Sequence, residues 1–184
     1  MNRLYRVVLV CLLPMLLLEG CDKGLSPLAP PSTAAAGYMS GLIRYQHWPS
    51  RDSLYDLRLV AFKVFPPSNI VNEVLLGRAV VCPPLGDTAL VPFFVDLLRY
   101  QFTLPAGEYK YVVVAQQYGP GVTTDWRAVG QYDLDSNLVV PSPVTIVASD
   151  TTRNVDINVD FSNPPPPPPM GTSLDAERFR LLNN

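Results

Sequence analysis

The sequence predicts an all-β domain, an antiparallel β-sandwich of about seven or eight strands. Apolar and polar residues alternate with a period of two in several short runs, as in 155–161. Residues that favour turns separate these runs, for example Gly119-Pro120-Gly121. No segment shows the sustained 3.6-residue spacing of a long helix. These features indicate strands joined by turns around one core.

The stretch 104–116 is predicted to contain the central strand. Pro105 and Gly107 favour a tight turn, and the residues that follow are rich in aromatic and β-branched types. The preceding run, 98–104, also alternates and is predicted as the hairpin partner of this strand. The period-two geometry predicts two buried faces, one with Tyr109, Tyr111 and Val113 and the other with Lys110, Val112 and Val114.

Other runs supply the remaining strands. The run 56–65 has apolar residues on both faces, which predicts a strand in the interior of a sheet. The segment 69–76 fits either a helical turn or a strand. The further elements are strands at 38–45, 78–82 and 126–132, one or two strands within 89–104, and a terminal hairpin of 144–148 and 153–161.

Residues 1–20 are predicted to be a secretory leader. A cationic start at Arg3 and Arg6 precedes an apolar run at 7–18. Twelve helical residues reach about 18 Å, which is short of the roughly 30 Å hydrocarbon core of a bilayer. The segment is therefore predicted to direct export instead of spanning a membrane.

The segment Leu18-Glu19-Gly20-Cys21 resembles the lipobox of bacterial lipoproteins. The resemblance implies cleavage after Gly20, a diacylglyceryl thioether on Cys21, and a membrane-anchored lipoprotein of the bacterial cell envelope, on the periplasmic side or at the cell surface. Glu19 departs from the small or apolar residues usual at its position. The alternative is an ordinary leader that happens to contain a cysteine.

The predicted domain map has four parts. Residues 22–37 are rich in Pro, Ser and Ala and show no apolar period, and six consecutive prolines at 164–169 favour a polyproline II rod. The parts are a lipoprotein signal peptide at 1–20, a flexible tether at 21–37, a β-sandwich at 38–162, and a polyproline linker with a short C-terminal tail at 163–184.

The segment Pro105-Ala106-Gly107-Glu108-Tyr109, with the β run after it, resembles a strand of transthyretin-like and carboxypeptidase-regulatory-like domains. The run Gly41-Leu42-Ile43 and the stretch 155–161 add weaker support. The resemblance implies a prealbumin-like sandwich, related in architecture to immunoglobulin-like domains. Domains of this group are mostly noncatalytic accessory modules on secreted or surface proteins.

The composition excludes some classes of partner. The formal net charge is −2, and no cluster of Lys and Arg is present, so nucleic acid is not a predicted partner. Cys11 leaves with the predicted leader and Cys21 is predicted to carry lipid, which leaves Cys82 without a disulfide partner. Cys82 is predicted to be a small buried strand residue.

No cofactor or metal is predicted. The nearest approach to a metal motif is Asp133, Asp135 and Asn137, whose spacing matches the start of a calcium loop. The following Gly and the distant Glu of such a loop are missing. A polar hairpin turn is therefore the preferred interpretation.

Two groups of residues are candidate ligand sites. They are His47 with Trp48, and Asp125 with Trp126 and Arg127. A Trp ring stacks on a sugar or a peptide, while Asp and Arg provide directional hydrogen bonds, so the predicted ligand is a carbohydrate or a protein. Each Trp can equally close the end of a sandwich. Counting strands places both tryptophans on one membrane-distal rim.

The function predicted from these features is a lipid-anchored cell-envelope protein with a noncatalytic binding or structural module. The alternative is an enzyme that processes envelope or extracellular polymers with His47 as acid or base. His47 is the single histidine of the chain. No motif supplies it with a catalytic partner.

Overall fold

The computed structural model describes residues 35–84, 87, 91–135 and 138–169. These residues form ten strands and one short α-helix. The elements in chain order are β1 (Ala36–Gln46), a 3-10 turn (Arg51–Ser53), β2 (Asp56–Phe62), α1 (Ile70–Leu75), β3 (Ala79–Cys82), β4 (Leu97–Pro105), β5 (Gly107–Tyr109), β6 (Tyr111–Gln117), β7 (Trp126–Tyr132), β8 (Val144–Ile146), β9 (Thr151–Thr152) and β10 (Ile157–Asp160).

The strands form one curled sheet and one two-stranded sheet. The large sheet has the order β3-β2-β6-β7-β10-β1-β4, with β9 paired to β1, and the small sheet pairs β5 with β8. Strands β10 and β9 run parallel to β1, whereas the other pairs are antiparallel. The predicted all-β class is confirmed, but the sheet is mixed and not purely antiparallel.

Two predicted hairpins are wrong. Strand β4 pairs with β1 over the register from Ala36 opposite Pro105 to Arg44 opposite Leu97, and β6 lies between β2 and β7. The segment 144–161 supplies β8, β9 and β10, which pair with β5, β1 and β7 but not with one another. Alternation shows that a run is a strand, but the choice of partner depends on contacts between residues far apart in sequence.

Several predicted elements are confirmed. Strands β1, β2, β3 and β7 lie where the sequence predicts them, and β2 is interior, between β3 and β6. The ambiguous segment 69–76 contains helix α1. The side chain of Asn69 accepts hydrogen bonds from the N–H groups of Val71 and Asn72, which satisfies two donors that a helix start leaves unpaired.

The predicted central strand is broken at Lys110, which separates β5 from β6. Tyr109 consequently joins the inner core, whereas Tyr111 and Val113 face the opposite side of the sheet. The prediction that these three residues share one face is therefore wrong. The reason is that the chain passes from the small sheet to the large sheet between Tyr109 and Tyr111, which interrupts the period-two count.

The inner core fills the concave side of the large sheet and reaches the small sheet. Val112 and Val114 of β6 lie on this side. The other buried members are Met39, Ile43, Tyr45, Leu54, Leu57, Leu59, Ala61, Val91, Phe102, Leu104, Tyr109, Val129, Val144, Ile146, Val155, Ile157, Val159 and Phe161.

The opposite side of the sheet carries a second apolar cluster, called here the outer face. Its buried residues come from β2, β3 and β6, and side chains of α1 and β7 pack against them. The buried members are Val60, Phe62, Ala79, Val81, Tyr111, Val113 and Ala115, and the partly buried ones are Phe65, Ile70, Val74, Trp126 and Ala128.

Within the part of the chain that the structure describes, no helix has the length and apolar character needed to cross a membrane. The predicted leader and lipidation site lie outside the described residues, as do the predicted tether up to residue 34 and the C-terminal tail from residue 170 onward. The end of the predicted tether is wrong, because Ala36 and Gly37 belong to β1 and pair with Pro105 and Leu104 of β4.

We predict that Val113→Asp abolishes cooperative folding. Val113 is fully buried in the outer face, where a carboxylate would lose its hydration without gaining a partner. The cost is several kcal/mol, which is comparable to the whole stability of a small domain. Thermal melting followed by circular dichroism is the measurement. The control is Val147→Asp, because Val147 is 56% exposed. A cooperative melt of Val113→Asp close to that of the control would contradict the two-sided burial of β6.

Candidate functional site

His47 lies just after β1, beside the turn that follows β10. Its Nδ1 atom is 2.8 Å from Oδ1 of Asp160 and 3.2 Å from Oγ of Ser162. The Ser162 hydroxyl donates to the same Asp160 oxygen at 2.7 Å, and the N–H of Ser162 also donates to it. Hydrogen bonds from Ser162, and next the contact with His47, lower the pKa of Asp160 to about 2. Asp160 is therefore the acceptor around which this turn is organised.

The three side chains do not have the arrangement of a catalytic triad. In such a triad the serine and the carboxylate contact different nitrogens of the histidine ring. Here Ser162 and Asp160 both approach Nδ1 of His47, and the Ser162 hydroxyl donates to the carboxylate. This geometry fixes the direction in which the chain leaves β10 and does not prepare Ser162 for nucleophilic attack.

Trp48 closes one end of the inner core. Its ring lies 4.8 Å from that of Tyr45, 4.7 Å from that of Phe161 and 5.2 Å from that of Phe94, measured between ring centroids. Its indole N–H donates to the backbone carbonyl of Val95 at 3.0 Å. Closure of one end of the fold is the alternative role that the sequence predicts for each Trp. Trp48 occupies such a position in the structure.

Asp125 organises the loop before β7. Its carboxylate accepts hydrogen bonds from the N–H of Gly121 and from the hydroxyl of Thr124, both at 2.8 Å. A Cβ atom on Gly121 would overlap the Thr124 hydroxyl and this carboxylate, so a larger residue there would displace both side chains. Arg127 donates from Nε to the side-chain oxygen of Gln116 at 3.0 Å. Asp125 thus holds the loop backbone in place, and Arg127 holds the side chain of Gln116.

Trp126 packs against the outer face of the sheet, whereas Trp48 packs against the inner core on the opposite side. The strand register places both tryptophans at the same end of the sheet, since Gln46 of β1 pairs with Asp160 and β10 pairs in turn with β7. They nevertheless belong to different apolar clusters. The two predicted groups therefore lie at one end but on opposite faces, and a ligand role for them stays a prediction.

A groove of about 440 Å³ lies beside Trp126 on the outer face. We call it the outer groove. Its floor is formed by the sheet, one side by the start of α1, and another by the loop before β7. The lining residues from these parts are Phe62, Pro67, Ser68, Asn69, Ile70, Val71, Tyr111, Val113, Thr123, Thr124, Trp126, Arg127 and Ala128.

The proline run, Pro164 to Pro169, forms the remaining side of the outer groove. Pro164, Pro165, Pro167 and Pro168 line it, and Pro165 is buried. The end of the run continues into a smaller adjoining pocket lined by Phe65, Tyr111, Gln131, Leu138, Val139 and Pro166 to Pro169. The segment predicted as a linker thus packs against the outer face in the structure.

Tyr111 lines both of these pockets. Tyr111 is 2% exposed, and its Oη atom has no hydrogen-bond partner among the described residues. The Phe62 and Phe65 rings lie 5.6 and 5.1 Å from the Tyr111 ring. Burial among these groups raises the pKa of Tyr111. A neutral O–H donor is therefore held in an apolar wall.

An ion pair between the buried Glu73 and the exposed Arg78 holds the helix at the edge of the groove. Glu73 of α1 is 1% exposed and accepts from Arg78 Nε and from the hydroxyl of Ser68. The hydrogen bond from Arg78 is the main cause that lowers the pKa of Glu73 to about 2. The pair ties the start of β3 and the chain before α1 to the helix, which positions Ile70 beside Trp126.

The remaining candidate residues, Cys82 and Asp133, are partly buried within the fold. Cys82 is half-buried at the end of β3, and burial raises the pKa of its thiol. Asp133 accepts a hydrogen bond from Ser142, and burial raises the pKa of Asp133. Asn137 lies outside the described residues. In the described ranges, no group of three or more His, Cys, Asp and Glu side chains is placed to hold a metal ion.

Comparison with known proteins adds little. No protein-family model matches the chain, and no curated protein matches it. Among solved structures, it is similar to a leucine-rich repeat protein from Bacteroides thetaiotaomicron VPI-5482, with 10% sequence identity and a TM-score of 0.35 over 70% of the chain. The chain spans 14% of that protein's length. At this TM-score the likeness establishes neither a fold family nor a function.

The sequence prediction included Trp126 and Arg127 but missed the rest of the outer groove. The signal for its floor was present in the apolar residues on both faces of 56–65 and 111–115. A strand with two apolar faces needs a cover on each face. The proline run is the longest apolar segment outside the predicted domain on its C-terminal side, and it provides part of that cover.

We predict that Glu73→Gln removes part of the acid dependence of stability. The ordinary pKa of Glu73 is 4.5 and the folded value is about 2, so its ionised form stabilises the fold fully above pH 4.5. This contribution is lost as the pH falls through the folded pKa of about 2. The variant should unfold about 1–3 kcal/mol more easily at neutral pH, because charge-assisted hydrogen bonds are lost.

The measurement for Glu73→Gln is urea unfolding at pH 2 to 7. The difference from the wild type should shrink as the pH falls. Asp52→Asn, on the exposed 3-10 turn, is the control and should leave the profile unchanged. A difference between wild type and Glu73→Gln that stays constant across this range would contradict the role of the ionised pair.

Proposed function

We propose that this chain is a lipid-anchored protein of the bacterial cell envelope whose β-domain is a noncatalytic binding module. The outer groove is the observation that carries the binding part. It lies within the 300–1,000 Å³ range of ligand pockets, and it combines apolar walls with a buried donor, Tyr111 Oη, that has no hydrogen-bond partner among the described residues. The lipobox Leu18-Glu19-Gly20-Cys21 carries the anchoring part.

Binding is preferred to catalysis because of the geometry around His47. Its ring nitrogen faces Asp160 and Ser162, which are committed to the turn after β10. The outer groove contains Trp126 and Arg127 of the predicted ligand residues, but no titratable acid or base among its lining side chains other than Tyr111 and Arg127. Such a wall suits recognition of an apolar or extended ligand more than proton transfer.

We also propose a prealbumin-type sandwich as the finer fold. The motif Pro105-Ala106-Gly107-Glu108-Tyr109 has a physical role that supports this assignment. Tyr109 is fully buried, and its hydroxyl donates to the carbonyl of Pro105 at 2.9 Å. The hydroxyl thereby closes the turn before β5, like the tyrosine corners of other β-sandwiches.

The anchoring part predicts that Cys21→Ser releases the protein from the membrane. Each acyl CH₂ buried in a bilayer contributes about 0.8 kcal/mol, so two chains hold a protein stably where one is marginal. The variant should therefore remain unprocessed or become soluble. Membrane fractionation with metabolic palmitate labelling is the measurement, and Cys82→Ser is the matched control. Unchanged labelling and membrane partition of Cys21→Ser would contradict the proposal.

The binding part predicts site-specific cross-linking at the outer groove. A photoreactive amino acid replaces Thr123 at the groove, and Gln101 on the edge strand β4 is the matched control position. Irradiation of producing cells should give adducts from position 123 that disappear when Trp126→Ala is added, because the indole forms a wall of the groove. Equal adducts from both positions, or none from position 123, would argue against a binding module.

A further inference from the structure

The proline run has a defined conformation that follows from its sequence. Each proline fixes its own φ near −65°, and a proline also keeps the residue before it out of the α region. Six consecutive prolines at 164–169 therefore adopt polyproline II. This helix has no internal hydrogen bonds, so its backbone carbonyls are free to accept. The run thus offers apolar rings and regularly spaced acceptors.

The surface beneath the proline run matches this chemistry. Tyr111, Phe62 and Trp126 present aromatic rings to it on three neighbouring strands of the sheet. Grooves lined by aromatic side chains are the usual receptors for polyproline II, since flat rings pack against proline rings at little entropic cost. Pro165 is buried in this contact. The chain therefore contains both a receptor of this kind and a ligand of this kind.

Two observations indicate that the proline run neither fills the groove nor pairs with its hydrogen-bond donor. Tyr111 Oη is buried and lacks a partner among the described residues, although Tyr111 lines the groove beside prolines whose carbonyls are hydrogen-bond acceptors. In addition, the groove of about 440 Å³ stays open alongside Pro164, Pro165, Pro167 and Pro168. The intramolecular segment thus covers the groove without using its donor.

We propose that the outer groove recognises a proline-rich segment of a partner protein and that Pro164–Pro169 of the same chain competes for it. The inference rests on the proposed function, because it names the ligand class of the same groove. The partner segment packs its rings against Trp126 and Tyr111, and one of its carbonyls accepts from Tyr111 Oη. The proline run then acts as a displaceable cover.

The turn after β10 fixes the position at which the proline run begins. Oδ1 of Asp160 accepts from the N–H groups of Ser162 and Asn163, and the proline run begins at the next residue. A segment joined through so short a connection has an effective concentration in the millimolar range or above. The affinity for a partner is reduced by the fraction of time that the groove is covered. Removing the cover should therefore raise the affinity.

The test uses the full-length protein and a capped hexaproline peptide, with a capped Gly-Ser peptide of the same length as control. Fluorescence anisotropy of a dye-labelled hexaproline reports binding, so the signal does not depend on the tryptophan that is mutated. Pro165→Gly combined with Pro167→Gly and Pro168→Gly weakens the cover, and this variant should bind hexaproline about tenfold or more tightly than the wild type. Trp126→Ala in the same background should abolish binding.

Tyr111→Phe separates recognition from structure. Since Oη has no partner in the described part of the chain, the melting temperature should stay at the wild-type value. The affinity for hexaproline should nevertheless fall about fivefold, the equivalent of one hydrogen bond. A loss of thermal stability together with unchanged affinity would assign Tyr111 a purely structural role and overturn the proposal.

Other occupants of the groove are outcomes of the same experiment. Binding of an aliphatic fluorescent probe without binding of hexaproline, by either the wild type or the glycine variant, would overturn the proposal. So would a concentration-dependent dimer that exchanges proline runs between copies and leaves hexaproline unbound. If the glycine variant does not fold, titration of the wild type with millimolar hexaproline decides, and saturable binding lost in Trp126→Ala supports the proposal.

The failure of this proposal can be distinguished from the failure of the proposed function. If hexaproline fails to bind while cross-linking at position 123 still depends on Trp126, the groove is a binding site for another ligand. In that case the proline-rich ligand is wrong and the binding module stands. If both experiments fail, the outer groove has no binding role.

Discussion

Strand β6 must be covered on both faces, and the arrangement of the rest of the domain follows from this requirement. Its residues Tyr111 to Ala115 are at most 2% exposed, although alternate ones point to opposite sides of the sheet. The curled sheet and the small sheet cover Val112 and Val114. In the part of the chain that the structure describes, no second sheet covers the outer face, since the large and small sheets both contribute to the inner core.

The outer face is covered instead by three unrelated pieces of chain. Helix α1 lies on one part, held by Glu73 and Arg78, and the loop closed by Asp125 lies on another. The proline run covers the third part, after the turn organised by Asp160. Pieces that are joined by loops leave gaps between them, unlike strands that share a hydrogen-bond ladder. The outer groove is such a gap, and its position next to Trp126 makes it accessible to a partner.

The sequence was sufficient to predict most strands but not their partners. Alternation identifies β1, β2 and β7 because it depends only on which side chains face the core. The pairing of β1 with β4 and with β10 depends on contacts more than fifty residues apart in sequence. The pairing of β10 with β7 and the passage between the two sheets at Lys110 also depend on contacts beyond neighbouring residues. The candidate site shows the same limit. Trp126 was predicted as an exposed aromatic residue beside Asp125 and Arg127, whereas its groove also includes Phe62 and the proline run.

The central claim is that the proline run rests on the outer face of the folded protein in solution. The most direct measurement is a set of nuclear Overhauser effects between the ring protons of Tyr111 and Trp126 and the side-chain protons of Pro164 to Pro168. The account predicts such contacts in the wild type, and their loss when Pro165, Pro167 and Pro168 are changed to glycine. Proline resonances at random-coil positions, with no contact to either ring, would contradict it.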